Sequence, residues 1–357
     1  MIGLGLRTNR VSDTHTPGMW FNIEEACMKG NLRAVKIHLL FFGNLDRALQ
    51  FACKGGHIDI INFITEKGAL DVNLGLSGAC EGGHIEVANL MIERGASLEY
   101  GLRGACKGNN THLADIMISR GADNWNHVLF AACLYDNADF VKLMIQKGAN
   151  NLDHALGCAC ANGKMNIVEI LIASGANDWD NGLRNACQGG HLDIVKLMIS
   201  YGANDWYNAL YEACKSGNME VVQLIRQYTP RIFGGLYGPC VGGNMDIVNL
   251  AIQMGLNDWN DGLYGACEGG HLDVVHFMIQ MGADQWDNGL DACWCGEGDW
   301  MKIADLMIKN GAEYDYDAKQ YNHRLLEACI YKKCILSCVL SLPILNLDTR
   351  RMVGTYL

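Results

Sequence analysis

The chain has 357 residues, half of them hydrophobic and 19% charged, with 42 glycines, 16 cysteines, 4 prolines and a formal net charge of −11. So few charges in so apolar a chain exclude wholesale disorder. The excess of acids argues against nucleic acid, which is bound mainly through Lys and Arg on phosphates. The cysteines leave three readings open: a disulfide framework, a metal protein, or a reduced chain with buried thiols.

Residues 1–20 carry no repeating pattern and are expected to form an N-terminal leader, with Met19-Trp20-Phe21 covering the first apolar face. The start lacks the apolar stretch of about 7–15 residues that marks a secretory signal. The longest apolar run, near Cys334 to Leu345, is broken by Ser337, Ser341 and Pro343. It is shorter than the ~20 residues that cross a bilayer. The expected setting is cytoplasmic and reducing, with no membrane partner.

From Ala26-Cys27 onward one short pattern recurs. Cys27, Cys53, Cys80, Cys106, Cys133, Cys160, Cys187, Cys214, Cys240, Cys267, Cys293 and Cys329 each follow Ala, except Cys240, which follows Pro239. The steps between them are 26 or 27 residues, and 36 for the last, so twelve of the sixteen cysteines are one position of a repeat. A period of this size means a stack of small units rather than the two or three domains that length suggests.

One unit runs from Asn181 to Trp206. Leu183 and Ala186-Cys187 fall at i and i+3/i+4, one face of a short helix. Gly189-Gly190 ends it, since glycine takes the positive-φ turn at little cost. His191 opens a second helix, and Asn31, Asn137, Asn218 and Asn244 fill the same slot, where an Asn side chain caps free N–H groups. Leu192, Ile194, Val195, Leu197, Met198 and Ile199 make that helix broadly apolar until Gly202, and Ala203-Asn-Asp-Trp206 forms the joint. Such a unit buries its faces only against neighbours. Irregular units follow. Gln227 to Phe233 replaces a joint, and Pro239 predicts a short or distorted first helix because proline fits only a first turn. Extra residues near Trp294–Trp300 and Tyr314–Tyr321 stretch the last step. The pattern stops after Leu342, leaving 343–357 as a C-terminal tail to an array over 21–342.

Gly-His-Leu-Asp-Ile-Val-x-Leu-Met-Ile-x-x-Gly-Ala resembles the second helix and C-cap of the ankyrin repeat, and Leu-x-x-Ala-Cys-x-x-Gly resembles its first helix. The resemblance covers about residues 22–342. It implies an all-α, ankyrin-like solenoid of about twelve helix-turn-helix repeats of 26–27 residues. The family unit has about 33 residues; the shortfall lies where that family carries a projecting hairpin, so these are finger-less repeats. The Gly-Ala-Asn-Asp-Trp joint is similar to that of ankyrin arrays from amoeba-infecting giant DNA viruses, which implies a viral protein acting in host cytoplasm. The resemblance implies a non-enzymatic, monomeric scaffold that binds a protein partner on its concave face. Some such viral arrays carry an F-box-like module, so Lys332–Leu357 would be its place in the alternative of a ubiquitin-ligase adaptor.

Little else in the sequence points to chemistry. Equivalent cysteines in stacked helices should lie about 10 Å apart. That is too far for the ~2.0–2.3 Å bonds of a zinc site or the ~7 Å Cα limit of a disulfide. The cysteines are therefore read as small buried hydrophobes; the one local cluster to test for metal is Cys293, Cys295, Cys329 and Cys334. No catalytic residue, metal or other cofactor is expected, because Cys187/His191 recurs as Cys53/His57, Cys80/His84 and Cys267/His271. Gly-Gly before a helix can bind an anion, but no phosphate-loop Lys follows it. Trp125, Trp179, Trp206, Trp259 and Trp286 share one register beside Asp or Asn, either as an acidic-aromatic binding strip or as lids over the helix pairs. The residues flanking the Leu and Ala-Cys anchors are the candidate partner contacts: Arg103, Lys107, Arg184, Gln188, Tyr211, Lys215, Tyr237, Tyr264 and Glu268. Tyr211, Tyr237 and Tyr264 fall in three consecutive repeats, and tyrosine offers large contact area with few rotors.

Overall fold

The computed structural model describes residues 22–41, 44–229, 234–293 and 299–312. Among these residues there are 22 helices and no strand, arranged as eleven helix-turn-helix pairs. The leader, the twelfth repeat with Cys329, and the C-terminal segment lie outside the described residues. The chain divides between Asn151 and Leu152 into two compact units. The first holds five pairs, from Ile23–Met28 with Leu32–Phe41 to Trp125–Leu134 with Ala138–Gln146. The second holds six, from Leu152–Ala161 with Met165–Ala173 to Trp286–Ala292 with Trp300–Lys309.

The seventh repeat shows why these residues fold this way. Asp178 caps Trp179–Gly189, its carboxylate accepting from Asn181 N. Leu183, Ala186 and Cys187 are completely buried. Gly190, at φ 73°, closes the helix, and His191 N returns to Ala186 O at 3.0 Å. Ile194, Val195 and Met198 of Leu192–Ser200 close the same core. Gly202, at φ 99°, ends that helix while Ala203 N reaches Met198 O at 3.1 Å. Burying one such Leu or Met stabilises by roughly 1.5–3 kcal/mol. The glycine of Asn-Gly-Leu has a packing reason: a Cβ on Gly182 would stand 2.5 Å from Met198 Sδ. The same methionine-on-glycine contact recurs at Gly75/Met91, Gly101/Met117, Gly262/Met278 and Gly289/Met307.

Neighbouring repeats within each unit are joined by two polar staples. At the helix-2 start, His57 Nε2 donates to Met28 O at 2.9 Å, His191 Nε2 to Ala161 O at 3.1 Å and His271 Nε2 to Val241 O at 3.0 Å. Each acceptor ends the preceding repeat's first helix, where carbonyls lack intrahelical partners. Asparagine in this slot does two jobs. Asn218 Oδ1 caps its own helix by accepting from Val221 N at 3.2 Å, and its Nδ2 donates to Gly190 O at 3.0 Å. Asn137 bonds likewise to Phe140 N and Cys106 O. The capping expected of Asn31, Asn137, Asn218 and Asn244 is present, whereas His57, His84, His191 and His271 cap nothing with their side chains.

The second staple lies at the other end of the first helix. Asp180 Oδ1 accepts from both Asn204 N (2.7 Å) and Asp205 N (2.9 Å) of the next joint. Asp46, Glu99, Asn126, Asp153 and Asn260 hold their following joints in the same way. Among the described residues each joint is a bare link, so the hairpin-less reading of the repeats holds. The helix of the ninth repeat, Tyr237–Gly242, is six residues long with Pro239 in its first turn, as its sequence predicts.

These contacts make Gly189 and Gly202 unequal. A Cβ on Gly189 would strike the Ala161 carbonyl oxygen and the His191 ring, whereas one on Gly202 meets nothing within 4 Å. Urea unfolding of Gly189→Ala is expected to show a loss of about 3 kcal/mol or more, because the clash is with backbone as well as a ring. Gly202→Ala should lose only the roughly 1–2 kcal/mol of a left-handed backbone carrying a Cβ. Equal losses, or a larger one at Gly202, would contradict the close-approach account.

Candidate functional site

On the first helices of the second to tenth repeats, the residue after the buried Leu and the residue after the Cys are four apart, so they share a face. In the second unit this face carries Arg184 and Gln188, then Tyr211 and Lys215, then Tyr237, then Tyr264 and Glu268. Three of these form one run. The rings of Tyr211 and Tyr237 lie 6.2 Å apart at 13°, and those of Tyr237 and Tyr264 lie 6.0 Å apart at 33°. Tyr237 Oη donates to Glu268 Oε2 at 2.7 Å. Burial, then the hydrogen bond to Glu268, pushes the Tyr237 phenol well above its ordinary range, and burial raises Tyr211 as well. Tyr264 is 38% exposed and its two companions are half-buried. The structure thus brings Tyr211, Tyr237, Tyr264 and Glu268 together. Arg184 stays apart from them, donating to Asn181 Oδ1 at 3.0 Å, and Gln188 is exposed.

In the first unit the same face is ionic. Glu81 takes Lys54 Nζ at 2.9 Å and Lys107 Nζ at 3.2 Å, so one carboxylate bridges lysines from the repeats on either side. Lys107 Nζ also sits 5.8 Å from the Tyr135 ring, and the Arg103 guanidinium lies 5.1 Å over Tyr100. Burial, then the Arg103 charge, pushes the His127 imidazole down. The alternation Lys54, Glu81, Lys107 at one register was the signal in the sequence for this ladder, and a reading confined to Arg103 and Lys107 misses it.

The cysteine column is a packing element. All twelve described cysteines are buried and none of them is in a disulfide. Burial pushes the thiols of Cys27, Cys53, Cys80, Cys106, Cys160, Cys187, Cys214 and Cys240 up to about 12. A hydrogen bond with Cys293, then burial, pushes the Cys267 thiol up as well. The short Trp286–Ala292 helix carries one residue fewer between its Leu and its Ala-Cys. Among the described residues no group of three or more His, Cys, Asp or Glu side chains could hold a metal. Of the cluster singled out for metal, Cys295, Cys329 and Cys334 lie outside the described residues.

The tryptophans open the first helices and are half-buried. Trp179 stacks on Tyr201 at 4.8 Å and Trp206 on Tyr228 at 4.4 Å, each closing the end of its own pair. Trp259 and Trp286 pack on the core of the second unit. Their acidic neighbours serve the fold: Asp178 and Asp205 cap the first helices and Asp180 clamps a joint. The lid reading of these tryptophans is therefore the one the contacts support. Among the described residues no helix is long and apolar enough to cross a membrane.

A family model of ankyrin repeats, in three copies, matches residues 102–181 and 159–232. Residues 102–232 are built of ankyrin repeats. The Ala-Cys and turn-glycine positions continue through most of the other described helix pairs. The crystal structure of the human ASB11 ankyrin repeat domain is 26% identical and covers 46% of this chain and 85% of its own, with a TM-score of 0.31. No curated protein matches the sequence. Ankyrin repeats are modules of protein–protein interaction, and proteins made of them are generally non-enzymatic scaffolds.

The thiol column fixes a pH dependence. An unfolded cysteine ionises near 8.5, and the buried ones near about 12. The raised folded values mean full stability below pH ~8.5 and progressive loss as pH rises toward the folded value. Thermal melts under reductant should therefore show Tm falling from pH 8.5 to 11. The fall should be shallower when Cys160, Cys187 and Cys214 are all changed to Ala. An unchanged slope in that variant would contradict it.

Proposed function

We propose that the second unit is a protein-docking module and that its contact surface is the first-helix face centred on Tyr211, Tyr237 and Tyr264, with Glu268 at its edge. The observation that carries this reading is the tyrosine run itself. Three consecutive repeats place an aromatic ring at the one register where other repeats carry Gln50, Ser77, Gly157 or Asp291, so packing does not demand tyrosine there. Tyrosine is a preferred anchor at interfaces because a large amphipathic ring is immobilised at small entropic cost. Lys215, Arg184 and Gln188 extend the same face toward the start of the unit. Arg103 and Lys107 occupy the corresponding register of the first unit and form its counterpart surface.

A photo-reactive phenylalanine analogue at position 264, in the full chain mixed with cell lysate, tests this surface. The expected result is a saturable adduct that weakens strongly in Tyr211→Ala. The same probe at exposed Lys196, on a second helix, should give no such adduct. Equal capture from position 196, or capture at 264 that ignores Tyr211→Ala, would overturn the assignment.

A further inference from the structure

The hydrogen-bond directions within the tyrosine run define what it can receive. A phenol has one proton to donate, and a carboxylate only accepts. The Tyr237 proton is committed to Glu268 Oε2 at 2.7 Å. Donation within the run therefore goes from Tyr237 to Glu268. What Tyr237 and Glu268 keep for a visitor are lone pairs, a second carboxylate oxygen and ring surface. A partner carboxylate or phosphate would add acceptors to acceptors.

We propose that the Tyr237–Tyr264–Glu268 end of this run receives an arginine side chain from an extended, basic segment of the partner protein. The proposal rests on the docking face described above and names the chemistry of its occupant. Charge along the face sets which end is used. Lys215 stands one turn beyond Tyr211, whereas Glu268 and, at the Tyr264 register one repeat further on, Asp291 make the opposite end acidic. A guanidinium suits this end better than an ammonium. It is planar, less strongly hydrated, stacks on aromatic rings and presents several donors at once. The spacing of the rings, 6.2 and 6.0 Å, is close to the ~6.7 Å at which an extended strand repeats its same-side residues. Alternate side chains of such a segment would meet successive rings. The net charge of −11 draws a basic segment in at longer range.

The experiment uses the full chain and labelled pentapeptides of the form Gly-X-Gly-X-Gly, with X as Arg, Lys, Leu or Glu, followed by fluorescence anisotropy. The arginine peptide should bind saturably, more tightly than the lysine peptide, while the glutamate and leucine peptides should not bind. Glu268→Gln, which keeps size and shape, and Tyr264→Ala, at a half-exposed ring, should each weaken arginine binding by about tenfold. Their thermal melts should match the parent. Arginine binding that ignores both substitutions would reduce the effect to general attraction by an acidic protein and overturn the proposal. Leucine or glutamate binding with the same Tyr264 dependence would overturn arginine as the occupant and leave the docking face standing. If no peptide binds in a Tyr264-dependent way and position 264 captures no partner from lysate, both readings fall.

Discussion

A helix of ten residues leaves a large fraction of its backbone groups without partners, and this protein strings such helices together with joints too short to cover them. The constraint is met by the neighbouring repeat. The carbonyls that end one first helix accept from the His or Asn that begins the next repeat's second helix, as His191 serves Ala161 and Asn218 serves Gly190. The N–H groups of each joint donate to an Asp or Asn on the first helix of the repeat before it, as Asn204 and Asp205 do to Asp180. The apolar core supplies cohesion within this frame, but apolar contact is non-directional. The polar staples fix the register of each repeat on its neighbour.

The composition follows from the same constraint. For the first helices to stand close enough to share these bonds, the residues between them must be small, which places Gly, Ala and Cys at the contacts. A Cβ on Gly104 would collide with the Ser77 carbonyl, and one on Gly265 would lie 2.5 Å from that of Tyr237. Cysteine here adds a sulfur's worth of apolar volume where serine would add an unsatisfied hydroxyl. Where the second glycine of the turn is absent, Asn109 and Asp136 take the positive-φ conformation themselves. These are the residues that tolerate it best after glycine.

Much of this was legible in the sequence because a repeat states its periodicity many times over. Leu183, Ala186-Cys187, Gly190 and the Met198 helix could be placed from spacing alone, and Pro239 announced its own short helix. The staples were harder to see, because each joins residues 24 to 31 apart whose partners are main-chain atoms with no identity in sequence. The column of Asp46, Glu99, Asn126, Asp153 and Asp180 was the available sign; where it stands beside tryptophan, as at Asn126 and Asp180, the pairing suggested a binding strip instead. The tyrosine triplet was readable as a cluster. The direction of its hydrogen bonds was not, since Glu268 meets Tyr237 only once the repeats are stacked.

The claim that inter-repeat polar bonds hold each joint is most directly tested at Asp180, by hydrogen exchange of the Asn204 and Asp205 amides. Asp180→Asn keeps an acceptor of the kind Asn126 and Asn260 already supply, and Asp180→Leu removes it. The account predicts exchange at both amides about tenfold or more faster in the leucine variant, from loss of bonds to a charged acceptor, and little change in the asparagine variant. Exchange at Asn204 and Asp205 that is the same in all three proteins would contradict it.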